Sequence, residues 1–352
     1  MNLSIFLLIA FIPMLMATLG TGLALKLLRY CKVFDHPNHR SSHTSLIPRG
    51  GGIPVIIILL AAWIALFFSE NGFEQNLSFW VIVGGILALA SISWLDDLKG
   101  GLSAIPRIFI QILAVSAGVL AFPEDGMVFQ GIFPLWLDRI ISALTWLWFI
   151  NLFNFMDGID GISGVKVFTI GIGIFLLGLT SEIISHLALP GLALASVALG
   201  FLFWNWSPAK IFLGDVGSIP LGFLTAWLLL NIALIGHWEA ALLLPAYYLA
   251  DSSITLLKRI LRGEKPWHAH KEHAYQFAVS HGDSHSKISL LTGVLGVLTN
   301  KAVIKPNPKR KQKYRSLLVG RNMEMRIKNG EGKYNEKADP HPKPSALFKP
   351  RS

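Results

Sequence analysis

The chain has one cysteine, Cys31, and charged residues fill only 15% of its 352 positions. A lone thiol excludes an internal disulfide and any cysteine-built metal cluster. Set against 53% hydrophobic residues and a mean hydropathy of +0.53, so little charge excludes a soluble globule. Several signatures are also missing. There is no G-x-x-x-x-G-K-[ST] loop, which argues against a P-loop ATPase, and no H-E-x-x-H. The residues around Asp157 lack the D-x-D-x-D-G pattern and closing Glu of an EF-hand. No repeat of fixed period is present. The N-terminus has no positive n-region, since Lys26 and Arg29 follow the first apolar run. It therefore reads as a retained membrane helix rather than a cleaved signal peptide.

What the chain does have is apolar runs long enough to cross a bilayer, which takes about 17–25 residues each. They lie near 3–25, 53–69, 77–95, 105–122, 139–156, 165–184, 187–206, 218–236 and 239–257, with a marginal tenth near 288–304. The expected fold is an all-α polytopic membrane protein, a bundle of about ten transmembrane helices. With the N-terminus outside, the loops at 26–52, 96–104, 157–164, 207–217 and 258–287 share one side and carry nearly all the Lys and Arg of the body. By the positive-inside rule that side is cytoplasmic. The opposite loops are short, apart from about 122–138, where Pro123, Gly126 and Pro134 read as a small turn or hairpin.

Residues 1–300 form the expected membrane domain. Residues 301–352 hold 15 Lys and Arg against 4 Asp and Glu, whereas the rest of the chain holds 16 against 17. The +10 net charge thus belongs to the tail and is no nucleic-acid signal. Lys305-Pro306-Asn307-Pro308-Lys309-Arg310-Lys311 reads as disorder. The tail is expected on the cytoplasmic side, with the tenth run not crossing.

The stretch from Asn151 to Gly164 passes from an apolar segment directly into two Asp-Gly pairs. Positions three apart step back by about 60° around a helix, so Asn151, Asn154, Asp157 and Asp160 would wind toward one opening if the helix lasts. The plainer alternative is a helix end closed by Asp-Gly turns. In the first cytoplasmic loop, Arg40 and Arg49 suit phosphates, and Gly50-Gly51-Gly52 would let backbone amides approach an anion; the competing account is a plain positive-inside loop. Asp96 and Asp97 end the third span about 100° apart. They suit a base that deprotonates a phosphate or a carboxylate that helps hold a cation. Asp215 is flanked by Gly214 and Gly217 just before a helix start, which fits a cation-diphosphate site. His268, His270 and His273 are spaced as zinc ligands might be, but the acidic residues elsewhere favour a hard cation and a substrate-binding role for the histidines.

Taken together these residues resemble the polyprenyl-phosphate N-acetylhexosamine-1-phosphate transferases, glycosyltransferase family 4. Five matches carry the resemblance, in the family's order over residues 1 to about 300. They are D-x-P-x-x-R…P-R-x-G-G at 35–52, Asp96-Asp97, N-x-x-N-x-x-D-G-x-D-G from Asn151, F-x-G-D-x-G-S from Phe212, and the histidine loop at 268–276. The resemblance implies transfer of a sugar 1-phosphate from a UDP-N-acetylhexosamine to undecaprenyl phosphate with Mg²⁺ or Mn²⁺. The setting it implies is the bacterial inner membrane, with a cytoplasmic active site and no nucleic acid; a homodimer is allowed. Asp215 is then the principal metal ligand, completed by Asn154 or Asp157. Asp96 or Asp97 deprotonates or orients the lipid phosphate, and Asp160, Arg40, Arg49, His268, His270 and His273 bind substrate. A covalent Asp-phosphosugar intermediate stays open.

Two departures stand out. Gly100 occupies the last position of the family's D-D-x-x-[DK] motif, with Lys99 one place early. The His-Ala-His-x-x-His-Ala-Tyr-Gln loop is closest to the O-antigen-initiating branch. Two other classes compete. An ion-coupled transporter would place its carboxylates near the bilayer midplane rather than at helix ends, and a scaffold would use its basic tail on anionic lipid.

Overall fold

The computed structural model describes residues 3–35, 45–69, 77–99, 103–265 and 271–304. Twelve α-helices are described: α1 (Leu3–Tyr30), α2 (Gly52–Phe67), α3 (Leu77–Lys99), α4 (Ala104–Leu120), α5 (Leu135–Met156), α6 (Ile162–Thr180), α7 (Ala188–Asn205), α8 (Asp215–Leu234), α9 (Trp238–Leu243), α10 (Ala246–Leu261), α11 (Ala274–Ser280) and α12 (His285–Ile304). The described sheet is a two-residue antiparallel pair, β1 (Phe34–Asp35) with β2 (Ile47–Pro48). Among the described residues seven helical segments are long and apolar enough to cross a membrane, and α2 and α4 are shorter apolar helices. The chain is an all-α, multi-pass membrane protein.

The central element is α8, buried along nearly its whole length and packed on α2, α3 and α5. By contrast, α1 shows an exposed stripe of Leu8, Ile12, Leu15, Leu19 and Leu23. Exposed leucines at helical spacing are what a lipid-facing surface requires. Helices α6 and α7 meet through small residues. A Cβ on Gly171 would lie 2.7 Å from the Ala195 nitrogen and the Gly191 carbonyl oxygen, so only glycine permits this backbone approach.

Two expectations change. The ninth run is not one helix: it breaks at Leu244-Pro245 into α9 and α10, because proline has no N–H to continue the ladder. There Lys166, 1% exposed, donates from Nζ to the Leu244 carbonyl at 2.8 Å. The tenth run is a 20-residue helix of spanning length, held to α6 where Asn300 donates to the Thr169 carbonyl. Of the turn or hairpin read near 122–138, the turn is what forms: residues 121–134 are turns without a strand, fixed by Asp138, which accepts the Val128 and Phe129 amides. The basic tail lies outside the described residues.

Candidate active site

Helix α8 begins at Asp215, after Gly214 at a positive φ of 75°. A helix start leaves backbone N–H groups without intrahelical partners, and here another helix supplies them. Asp97, at the end of α3, accepts the Asp215 amide on Oδ1 at 3.2 Å and the Val216 amide on Oδ2 at 3.0 Å. Its side chain is fully buried, and Oδ1 also meets Nε of Arg49 at 2.8 Å. Both oxygens of Asp97 are therefore committed to protein groups.

Asp215 itself lies between two guanidinium groups. Oδ1 is 2.7 Å from Nη2 of Arg49, and Oδ2 is 3.1 Å from Nη1 of Arg107. The same Arg107 nitrogen reaches Oδ2 of Asp96 at 2.8 Å, and Arg49 also faces Asp35 at 3.6 Å. From the last turn of α5, Asn154 donates through Nδ2 to Asp215 Oδ1 at 3.1 Å and to the Ser218 hydroxyl at 2.8 Å. Asp35, Asp96, Asp97 and Asp215 thus surround two arginines, four carboxyl groups against two guanidinium groups.

Asp157 follows directly after α5. Burial pushes its carboxyl up to about 6 against a hydrogen bond from Ser163, and the charge of Asp215 adds to the rise while Arg49 opposes it. It therefore belongs electrostatically to the same cluster. The other two polar residues stay outside it, Asn151 because its side chain turns to another helix and Asp160 because α5 ends at Met156. Asn151 donates to Gln111 Oε1 at 2.8 Å. Asp160 takes the Ala209 amide at 3.1 Å and lies 3.3 Å from Nδ1 of His285. Burial alone would raise its pKa, but His285, the Ala209 amide and Ser207 outweigh it and hold the carboxyl below the usual range.

The two Asp-Gly pairs do different work. Gly161 has φ 79° and donates to Asn205 Oδ1 at 3.0 Å as it opens α6, a conformation favouring glycine. Gly158 makes room for a side chain, since a Cβ there would lie 2.1 Å from Oη of Tyr275.

The glycines of the first loop are not anion donors either. The Gly50 and Gly51 amides bond the Phe212 carbonyl at 3.2 and 2.9 Å, and the Gly52 amide bonds the Leu213 carbonyl at 2.8 Å. Their contribution is to bring Arg49 against the start of α8. His273 is 2% exposed, with Nδ1 3.4 Å from Oδ1 of Asp251 on α10, so it faces inward. Arg40, His268, His270 and Gly100 lie outside the described residues.

Arg107 was not among the residues singled out from the sequence. It is the only charged residue of the run at 105–122, a signal that a positive-inside reading absorbs without remainder. Among the described residues no three His, Cys, Asp or Glu converge as a metal cage. The donors near Asp215 are all oxygens. Both Asn154 bonds leave from Nδ2, so its Oδ1 remains to accept or coordinate. An oxygen set with one or two carboxylates, in a pocket where carboxyl groups outnumber guanidinium groups, fits a hard divalent cation that takes its remaining ligands from phosphate and water.

Comparison with known proteins places this constellation in context. The family model described as glycosyl transferase family 4 matches residues 79–233, which span α3 to α8. The chain is 28% identical over 279 residues to a probable undecaprenyl-phosphate N-acetylglucosaminyl 1-phosphate transferase of Bacillus subtilis (strain 168), covering 75% of this chain and 74% of that protein. It is 28% identical over 290 residues to a decaprenyl-phosphate N-acetylglucosaminephosphotransferase of Mycolicibacterium smegmatis, covering 73% and 71%. A phospho-N-acetylmuramoyl-pentapeptide-transferase of Streptococcus uberis is 30% identical over 230 residues, covering 59% and 66%. The chain belongs to glycosyl transferase family 4, among the polyprenyl-phosphate hexosamine-phosphate transferases.

Proposed function

We propose that the protein transfers an N-acetylhexosamine 1-phosphate from a UDP-sugar to undecaprenyl phosphate, releasing UMP at the cytoplasmic face of the bacterial inner membrane. A lipid-phosphate oxygen attacks the β-phosphorus of the donor, the diphosphate P–O bond breaks, and UMP leaves with its electron pair. The observation that carries this reading is the position of Asp215, between Arg49, Arg107 and Asn154 at a helix start. Two anionic reactants must be brought together there, so positioning and charge neutralisation supply most of the catalysis.

Asp215, Asn154 Oδ1 and Asp157 would hold Mg²⁺ or Mn²⁺, which when bound neutralises the donor diphosphate. Arg49 and Arg107 exchange carboxylate partners for phosphate oxygens, a geometry that guanidinium matches. Asp96 is better placed than Asp97 to orient or deprotonate the lipid phosphate, because Asp97 is spent on the α8 amides and Arg49. An apolar cavity of about 300 Å³ between α5, α8 and α9 supports a polyprenyl acceptor. Its lining begins at Ala226, about 16 Å along α8 from Asp215 at the helical rise per residue.

The histidine loop's sequence resemblance supports an N-acetylated hexosamine donor and the initiating step of lipopolysaccharide O-antigen or another cell-envelope glycan. The test is a panel of UDP-sugars with undecaprenyl phosphate and Mg²⁺, given to detergent-purified protein and read as UMP release. Release with one or a few N-acetylhexosamines is expected. No UMP from any of them would overturn the proposal and return the ion-coupled transporter to first place.

A further inference from the structure

At the end of α5, the carbonyls of the last turn have no intrahelical partner. One of them, that of Phe155, accepts a hydrogen bond from Tyr275 Oη at 2.9 Å. Tyr275 belongs to α11, 120 positions later in the chain, and is 1% exposed. Its ring stacks on His273 with centroids 5.8 Å apart and planes 15° apart. Beneath it, Asp251 Oδ1 accepts the Ala274 amide at 2.9 Å and faces His273 Nδ1 at 3.4 Å. A continuous strut thus runs from α10 through His273 and Tyr275 to Phe155. Asn154, which grips Asp215, precedes that residue, and Asp157 follows two places later. Gly158 is glycine because the strut passes there: a Cβ would meet Oη at 2.1 Å and Cζ at 2.9 Å.

We propose that Tyr275 is a positioning residue that holds the last turn of α5, and with it Asn154 and Asp157, in register with Asp215. The inference rests on the transferase reading above for what that register serves, and on the hydrogen bond and the enclosed ring for the strut itself. A phenol held at both ends loses little freedom when it acts, so it locks the turn without touching either substrate.

Two measurements on the full-length purified protein test it, using Tyr275→Phe, Gly158→Ala and the double variant. The first is hydrogen exchange of the amides at 154–158. Tyr275→Phe should speed their exchange about tenfold, the amount that one lost hydrogen bond allows, while exchange in α6 stays as in the wild type. The second is a Mg²⁺ titration of UMP release. Tyr275→Phe should lower kcat about tenfold and raise the Mg²⁺ midpoint, leaving KM for undecaprenyl phosphate unchanged, a split that general loosening would not give. Gly158→Ala removes the same strut, so the double variant should lose far less than the product of the two single losses. Unchanged exchange at 154–158, or additive losses in the double variant, would overturn the proposal. Should the wild type release no UMP, the transferase reading falls, and the exchange measurement still decides on the strut.

Discussion

Arg49 Nε lies 2.8 Å from Asp97 Oδ1, inside a site where Asp97 also accepts the first two amides of α8. One carboxylate therefore fixes both the arginine and the helix start that presents Asp215. Asp97→Asn keeps the shape and loses the charge, with one of its two acceptor oxygens becoming a donor aimed at an N–H. Hydrogen bonds to charged groups are worth about 1.5–3 kcal/mol, so the variant should lose roughly that much stability along with turnover. Denaturant titration beside UMP release checks this. Full stability with turnover abolished would mean that Asp97 acts on substrate.

Arg107 gives a prediction of opposite sign for metal and rate. Its Nη1 separates Asp96 from Asp215, at 2.8 and 3.1 Å. Arg107→Gln removes the cation between Asp96 and Asp215 and leaves Asp215 with Arg49 alone, which should favour a divalent ion. The Mg²⁺ concentration for half-maximal rate should fall, while kcat falls by about a hundredfold for want of a phosphate-binding guanidinium. A raised Mg²⁺ midpoint would show that Arg107 does not compete with the metal.

The glycines separate into those that matter and those that do not. A Cβ on Gly52 would sit 2.2 Å from the Gly217 Cα and 2.3 Å from its nitrogen, backbone atoms that cannot rotate away. Gly52→Ala should destabilise the protein by at least about 1–3 kcal/mol and displace Arg49. Gly84, within α3, has nothing within 4 Å, so Gly84→Ala should stabilise by about 0.5–1 kcal/mol through helix propensity alone. Thermal melting of the pair checks it. A tolerated Gly52→Ala would mean that the loop and α8 are not pressed together.

Much of the fold was legible because a bilayer imposes a minimum length on each apolar helix, and the runs mark that length. Asp215 was legible for a local reason: a carboxylate between glycines announces a helix start. What stayed hidden depended on partners distant in sequence. Gly50 to Gly52 read as amide donors, yet their partners are the Phe212 and Leu213 carbonyls. His273 read as a substrate-binding residue, yet it faces Asp251 on another helix and points inward. Arg107 was masked by the positive-inside rule, which expects a cation near the cytoplasmic end of a membrane helix whatever that cation does.

Asp160 offers the sharpest separation of substrate binding from structure. The sequence reading gave it a substrate-binding role, whereas its carboxylate lies against His285 Nδ1 at 3.3 Å and the Ala209 amide at 3.1 Å, joining the α5–α6 turn to α12 and to the segment before α8. Its folded pKa lies below the usual 3.8. A depressed carboxylate contributes stability that is fully present above its unfolded pKa and is lost as pH falls through the folded value. Asp160→Asn should therefore melt below the wild type at pH 7 by the equivalent of about 1–3 kcal/mol. That gap should hold down to about pH 4 and close only at lower pH, as the wild-type carboxyl takes up its proton. At pH 7 the KM for the UDP-sugar should stay within about twofold of the wild type, since the variant loses a brace and no substrate contact. If Asp160→Asn instead melts like the wild type and raises the donor KM tenfold, the carboxylate leaves His285 to meet the sugar, and the substrate-binding role read from the sequence stands.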